Sequence, residues 1–279
     1  FITALCGLLL TSRAASDPHQ PPAEVSKTHH GLNIALHAQA DYKKHGWVAG
    51  SEVTTTGLSL AMERSPLVNS TYRFSPFNYG KINEVRFDLV VVEGYIGTVP
   101  RFIYHLRKAN PGIVVVHWCL DTFPSFKKIL ALDVDAFLTN SRELNQVIFP
   151  SHGFQSWELL LAADTSVFRP NPDPSSEYAG VDIVYVGQYS PQKRHLRPML
   201  RETAAFCASG RCNFAIYGNV WGSEWVRNDV GPEIMKHWRG ILPLDDIAEL
   251  YSNAKIVLGT TMEKQEELGM VNNRVFEVL

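Results

Sequence analysis

Two uninterrupted apolar runs, Leu89-Val90-Val91-Val92 inside Phe87 to Gly94 and Ile113-Val114-Val115-Val116 inside Ile113 to Trp118, set the tightest limit on how this chain folds. A strand that is apolar at every position has no face for water, so both faces must be covered. That is the condition of a parallel sheet enclosed by helices. Between the runs, Pro100 to Lys108 is patterned as a helix and Asn110-Pro111-Gly112 ends it in a turn, which makes one βαβ unit. The series extends in both directions. Leu32 to Leu36 reads as a first strand followed by a loop through Trp47 and Gly50, and Glu93-Gly94-Tyr95-Ile96-Gly97 falls at a strand end where open parallel sheets place their ligands. Downstream come a helix over Ser125 to Leu132, a strand over Ala136 to Ser141 ending at an N-cap serine, a helix over Arg142 to Phe149, and a short strand at Leu159 to Ala162.

Asp164 to Ala179 then changes character, with Pro170, Pro172 and Pro174 among Asn, Asp and Ser, and reads as a linker. A second series follows, with strands at Val181 to Gly187, Asn213 to Gly218 and Lys255 to Gly259 and helices at Leu196 to Ala208 and Leu244 to Tyr251. Val220 to Arg239 is aromatic and reads as loop with a short helix. The expectation is an α/β protein of two Rossmann-like, doubly wound domains, an N-terminal one over 31–165 and a C-terminal one over 181–279, joined by a linker over 166–180. A chain of 279 residues is long enough to bury two such cores.

Charge narrows the partners. With 26 basic and 28 acidic residues the chain has no field to attract nucleic acid or anionic membranes. Phe1 to Leu10 is an apolar run of signal-peptide length, with small residues at Ala14-Ala15-Ser16 where cleavage follows, so residues 1–16 read as a signal peptide or a truncated signal anchor and 17–30, containing His29-His30, as a linker. A membrane partner is expected only if that segment is an anchor. The corresponding localisation is the secretory pathway, secreted or in the Golgi or ER lumen. Asn69-Ser70-Thr71 is an N-glycosylation sequon, which fits that route. Outside the leader, Cys119, Cys207 and Cys212 leave two readings, a Cys207–Cys212 pair or free thiols, and no spacing suggests a metal site.

Gly269 to Leu279 reads as the opening of a buried helix, its apolar face Val275, Phe276, Val278 and Leu279 and its N-terminal polar groups Asn273, Arg274 and Glu277. Such an end favours anions. The apolar run stops at Leu279 without a C-cap, which reads as a truncation.

Val184-Tyr185-Val186-Gly187 followed by Lys193-Arg194, then Ile216-Tyr217-Gly218, Gly240-Ile241-Leu242 and Asn273-Arg274-Val275-Phe276-Glu277 together resemble the donor-binding domain of GT-B glycosyltransferases, in the group-1-like branch that includes the spore-protein CgeB/YkvP glycosyltransferase-like domain. The first half is similar more loosely, through the His117 to Asp121 loop, Asn140-Ser141 and Ala163-Asp164. The resemblance implies transfer of a sugar from a nucleotide-sugar donor, with no cofactor and no obligatory metal. The acceptor it implies is a glycan, a protein or a small molecule. It assigns Lys193 and Arg194, after the turn at Gly187, to the diphosphate, Glu277 to the ribose hydroxyls, and Gly240, Ile241 and Leu242 to the base through backbone contacts. Asn273 and Arg274 complete the donor side.

The chemistry agrees, because a departing diphosphate accumulates charge that cations stabilise in a dry site. On the acceptor side His117 and Asp121 are candidate general bases, against a packed histidine and a turn aspartate. Two positions depart from the family pattern. Gln188 stands where an arginine often follows the glycine, so Arg194 or Arg274 must carry that charge, and Gly269 stands where retaining members carry a second glutamate, with Glu266 and Glu267 out of register. Asp245-Asp246 reads as helix N-capping after Pro243. The rivals are a nucleotide-sugar epimerase and a non-catalytic GT-B-like module that binds glycans or nucleotides. An NAD enzyme is disfavoured because no G-x-G-x-x-G follows any strand.

Overall fold

A computed structural model describes residues 31–37, 50–74, 80–93, 97, 99–120, 126–165, 168–170, 177–272 and 274–278. The leader, the His29-His30 linker, Asp121, Asn273 and Leu279 lie outside them. The chain divides into two compact units, Phe1–Leu160 and Leu161–Leu279.

The first unit contains β1 (Leu32–His37), α1 (Gly50–Glu63), β2 (Val68–Phe74), β3 (Leu89–Glu93), α2 (Val99–Ala109), β4 (Val114–Cys119), α3 (Phe126–Leu130), β5 (Ala136–Thr139), a π-helical turn (Leu144–Ile148) running into α4 (Phe149–Ser151), and β6 (Gln155–Glu158). All six strands are parallel, in the order β2-β1-β3-β4-β5-β6. The two valine-rich runs lie at the centre, and every residue of β3 and β4 is buried. Helix α2 supplies one cover: Val99, Phe102, Ile103 and Leu106 fall on one stripe and all are buried.

Three differences from the sequence reading have physical causes. Gly50–Glu63, of which only Gly50 falls in the expected loop, is a helix for which no element was expected; its glycines and Thr54-Thr55-Thr56 argue against helix locally, and burial of Thr55, Ser59 and Met62 overrides them. The seven-residue β2 was not expected, because an edge strand half in water needs no apolar run. The last strand is Gln155–Glu158, ahead of the expected Leu159 to Ala162, and for the same reason: it is the opposite edge, polar and only partly covered.

The second unit contains β7 (Ile183–Val186), α5 (Leu196–Phe206), β8 (Phe214–Tyr217), α6 (Glu224–Val230), α7 (Pro232–Met235), α8 (Leu244–Asn253), β9 (Ile256–Leu258), α9 (Glu263–Glu267) and α10 (Arg274–Glu277). Its sheet is parallel, in the order β8-β7-β9. Alternation along the strands separates two cores. Ile183, Tyr185, Phe214 and Ile216 pack with Leu196, Leu200, Trp221 and Val226 on one face, while Val184 and Ala215 pack with Leu242, Leu250 and Tyr251 on the other. Both units are therefore doubly wound α/β structures, the components of a GT-B fold.

Phe168 and Tyr178, from the stretch read as linker, pack on the second core. Cys207 and Cys212 are disulfide-bonded, and Cys119 is a buried free thiol. Pro243 occupies the N-cap of α8 without a side-chain cap, and Asp246, expected to cap that helix, instead accepts a bond from the Tyr178 hydroxyl at 3.0 Å.

Candidate functional site

Each strand of the second sheet ends directly in a glycine: Val186 in Gly187, Tyr217 in Gly218, Leu258 in Gly259. The carboxyl edge is thereby compact. A Cβ on Gly218 would lie 2.3 Å from the Gly187 carbonyl oxygen and 2.8 Å from the Trp221 ring, so only glycine fits. The Gly187 amide donates to the Tyr217 carbonyl and the Gly218 amide to the Gly240 carbonyl, both at 2.9 Å.

Strand-end carbonyls present negative charge, and here donors cover them. The Trp221 indole N–H bonds the Gly187 oxygen at 2.7 Å, the Trp238 indole N–H bonds the Gly218 oxygen at 3.1 Å, and the Arg274 guanidinium bonds the Val186 oxygen. The Lys193 Nζ reaches the Gln188 carbonyl at 3.4 Å and the Tyr185 hydroxyl at 3.2 Å. The Val186, Gly187 and Gly218 carbonyls are thus covered, and two half-buried cations, Lys193 and Arg274, stand at the edge, neither in a salt bridge with a described residue. Such an edge suits an anion.

Arg194 behaves differently. It is exposed, and its guanidinium pairs with Glu263 at 3.1 Å and Glu266 at 3.7 Å. Of the segment assigned to the base, Gly240 gives its carbonyl to Gly218, Ile241 is 52% exposed, and Leu242 is buried in the core.

The closing segment crosses the same edge. The Asn272 side chain donates to the Thr260 carbonyl at 3.2 Å and accepts from the Arg274 amide at 3.0 Å, and Arg274 runs past Gly259 to stand over the Tyr251 ring at 5.7 Å. The expected buried helix is corrected here. Helix α10 has four residues and buries none; Val275 is 52% and Val278 39% exposed. One turn sums too few peptide dipoles to act as an anion site by itself, so the charge at this edge is that of the side chains. Glu277 is half-buried, and burial raises its carboxyl above the ordinary value, with Arg274 pulling it back.

In the first unit His117 lies on β4, wholly buried, its ring edge-on to Phe137 at 5.6 Å. Register places it beside Val92, with His37 on the far side of Val92, so both imidazoles point to one face near the carboxyl end. The His37 ring lies tilted against Phe102 at 4.5 Å, and burial, with a small push from His117, lowers its pKa to about 4. On the other face Glu93 is buried and accepts the Thr55 hydroxyl at 2.6 Å. The sequence reading passed over His37, which sits at the end of an unremarkable strand, and Thr55, whose helix was not expected. It also missed the carbonyl-covering role of Trp221 and Trp238; an aromatic segment following a strand-end glycine was the available signal.

Among the described residues no group of His, Cys, Asp and Glu is placed to hold a metal, and no helix is long and apolar enough to cross a membrane.

Comparison with known proteins adds to this geometry. Residues 192–279 match the family model described as glycosyl transferase-like, covering most of the second unit. No curated protein matches. Among solved structures, the UDP-GlcNAc 2-epimerase from Methanocaldococcus jannaschii is similar over 89% of this chain and 90% of its own, at 12% identity and a TM-score of 0.48. Residues 192–279 are thus similar in sequence to that family, in a unit with a parallel α/β fold.

Proposed function

We propose that this chain is a glycosyltransferase that takes its sugar from a nucleotide-sugar donor, with the diphosphate bound at the carboxyl edge of the second sheet. The observation that carries this reading is the edge itself: carbonyls covered by Trp221, Trp238 and Arg274, with Lys193 and Arg274 left as cations outside any salt bridge with a described residue. The family match over residues 192–279 supports the same chemistry. In this reading Lys193 and Arg274 neutralise the charge that grows on the departing diphosphate, which is the largest electrostatic demand of such a transfer. Arg194 and the Gly187 turn flank them, and Asn273 is assigned to the donor with them. Glu277 holds the ribose hydroxyls, which requires the ionised form that Arg274 favours. Gly240, Ile241 and Leu242 face the base with backbone groups. Asp121 serves the acceptor hydroxyl in this reading, since His117, the other candidate, is wholly buried, and the acceptor is a glycan, a protein or a small molecule. No cofactor or metal is needed beyond the donor.

The test is calorimetric titration of the full chain with a panel of nucleoside diphosphates, followed by product analysis with the matching sugar nucleotide. One nucleotide binding, with sugar transferred to an added acceptor, is the expected result. Absence of binding by every nucleotide would leave a non-nucleotide glycan-binding module. An epimerised sugar nucleotide formed without acceptor would replace the transferase by an epimerase.

A further inference from the structure

The register of the first sheet slips once. Leu32 pairs with Val68 and Asn33 with Ser70, so Asn69 has no partner on β1 and is the extra residue of a bulge. Gly31 makes room for it, since a Cβ there would meet the Asn69 backbone nitrogen at 2.8 Å. The bulge lies on β2, an edge of the six-stranded sheet, and Asn69 is exposed. Asn69 is also the acceptor position of the sequon Asn69-Ser70-Thr71.

A second observation, independent of this one, concerns compartment. The disulfide Cys207–Cys212 joins two cysteines, and the remaining described cysteine, Cys119, is buried. Disulfides persist where the surroundings are oxidising, the secretory pathway among them, and that is where asparagine glycosylation takes place. We infer that Asn69 carries an N-linked glycan that covers the β2 edge.

The bond formed joins Asn69 Nδ2 to the anomeric carbon of a polyprenyl-diphosphate-linked oligosaccharide. The bond broken is the one from that carbon to the diphosphate, which leaves with the electron pair while the amide nitrogen gives up one proton. The product amide keeps one N–H. In the folded chain Asn69 Nδ2 donates to Asn33 Oδ1 at 2.9 Å, a bond that needs only one hydrogen and is retained. The sequon hydroxyl of Thr71 is engaged by Ser59 at 2.6 Å and by Glu63, so the modification precedes closure of β2 against α1. An edge strand is a template for unwanted pairing, and a bulky polar group at its bulge blocks that approach.

The full chain is expressed into the secretory pathway of a eukaryotic cell and digested with peptide N-glycosidase. Peptide mass spectrometry is expected to find aspartate at position 69 after digestion, and intact mass to fall by one glycan. Asn69→Gln and Thr71→Ala should abolish the shift, while Thr71→Ser, which keeps the sequon hydroxyl, should preserve it. Unmodified asparagine at 69 in the recovered wild-type chain overturns the inference. The measurement is on the wild type, so poor folding of a variant does not weaken it, and its result is independent of nucleotide binding.

Discussion

The two parallel sheets are closed in the same way at one end and in opposite ways at the other. At the amino ends an aspartate just before a strand accepts the backbone amide of the neighbouring strand: Asp88 from Asn33 at 3.0 Å, Asp135 from Val115 at 2.7 Å, and Asp182 from Asn213 at 2.8 Å. Lys255 and then the Asn213 amide hold the Asp182 carboxyl below its usual range. At the carboxyl ends the first sheet buries side chains, His37, Glu93 and His117, while the second has glycines, covered carbonyls and cations. Amino ends answer to backbone bonding alone, so sequence solves them alike. Carboxyl ends are where ligands meet such sheets, and there the solutions separate.

The largest effect expected from breaking this contrast is at Gly218. Gly218→Ala places a methyl against the Gly187 carbonyl and the Trp221 ring and should destabilise the second unit by about 3 kcal/mol or more, read from the urea midpoint by tryptophan fluorescence. A near-neutral result would mean that the edge is not closed as described.

The first sheet answers to pH instead. His37 has a folded pKa of about 4 against 6.5 unfolded, so the fold prefers its neutral form. Its contribution is fully present above the unfolded value and is lost as pH falls through the folded one. Between pH 7 and about pH 4.5 that amounts to roughly 2–3 kcal/mol. His37→Phe should remove that part of the acid loss in denaturant melts, and an unchanged acid loss would place the titrating group elsewhere.

How much of this was legible follows the same division. Continuous apolar runs announce doubly covered strands, so β3, β4 and β7 were readable, as were the strand-end Gly187 and Gly218. Edge strands β2 and β6 were not, because their stability comes from a neighbour and not from their own composition. The candidate donor cations were legible as residue types, but whether a cation is paired depends on distant chain: Glu263 and Glu266 lie about seventy residues from Arg194, a separation no local pattern reports. The closing segment misled for a related reason. Val275 and Val278 have helical spacing, yet only packing decides burial, and here they remain exposed.

Next in size is the disulfide. Closing a loop with a sequence separation of 5, it should contribute about 2 kcal/mol, measured as the loss in urea midpoint of the Cys207→Ser, Cys212→Ser double variant. The loss belongs to the second unit alone, so the acid profile set by His37 should not move. A shift in that profile would show that the two units do not melt separately.

The smallest stability effect, and the sharpest functional contrast, lies between adjacent cations. Arg194 is in exposed pairs with Glu263 and Glu266, which are worth about 0.5 kcal/mol or less, so Arg194→Ala should leave the melt nearly unchanged. Among the described residues Lys193 bonds the Tyr185 hydroxyl and the Gln188 carbonyl and joins no salt bridge, so its charge is available. If the second sheet's edge takes a diphosphate, Lys193→Ala removes a charge-assisted bond worth about 1.5–3 kcal/mol and should weaken nucleoside diphosphate binding by at least about tenfold. Arg194→Ala should weaken it about twofold, because Glu263 and Glu266 already offset its charge. Equal losses would show that Arg194 leaves its carboxylates when ligand binds, and the reverse order would move the anion site from the strand ends to the start of α9.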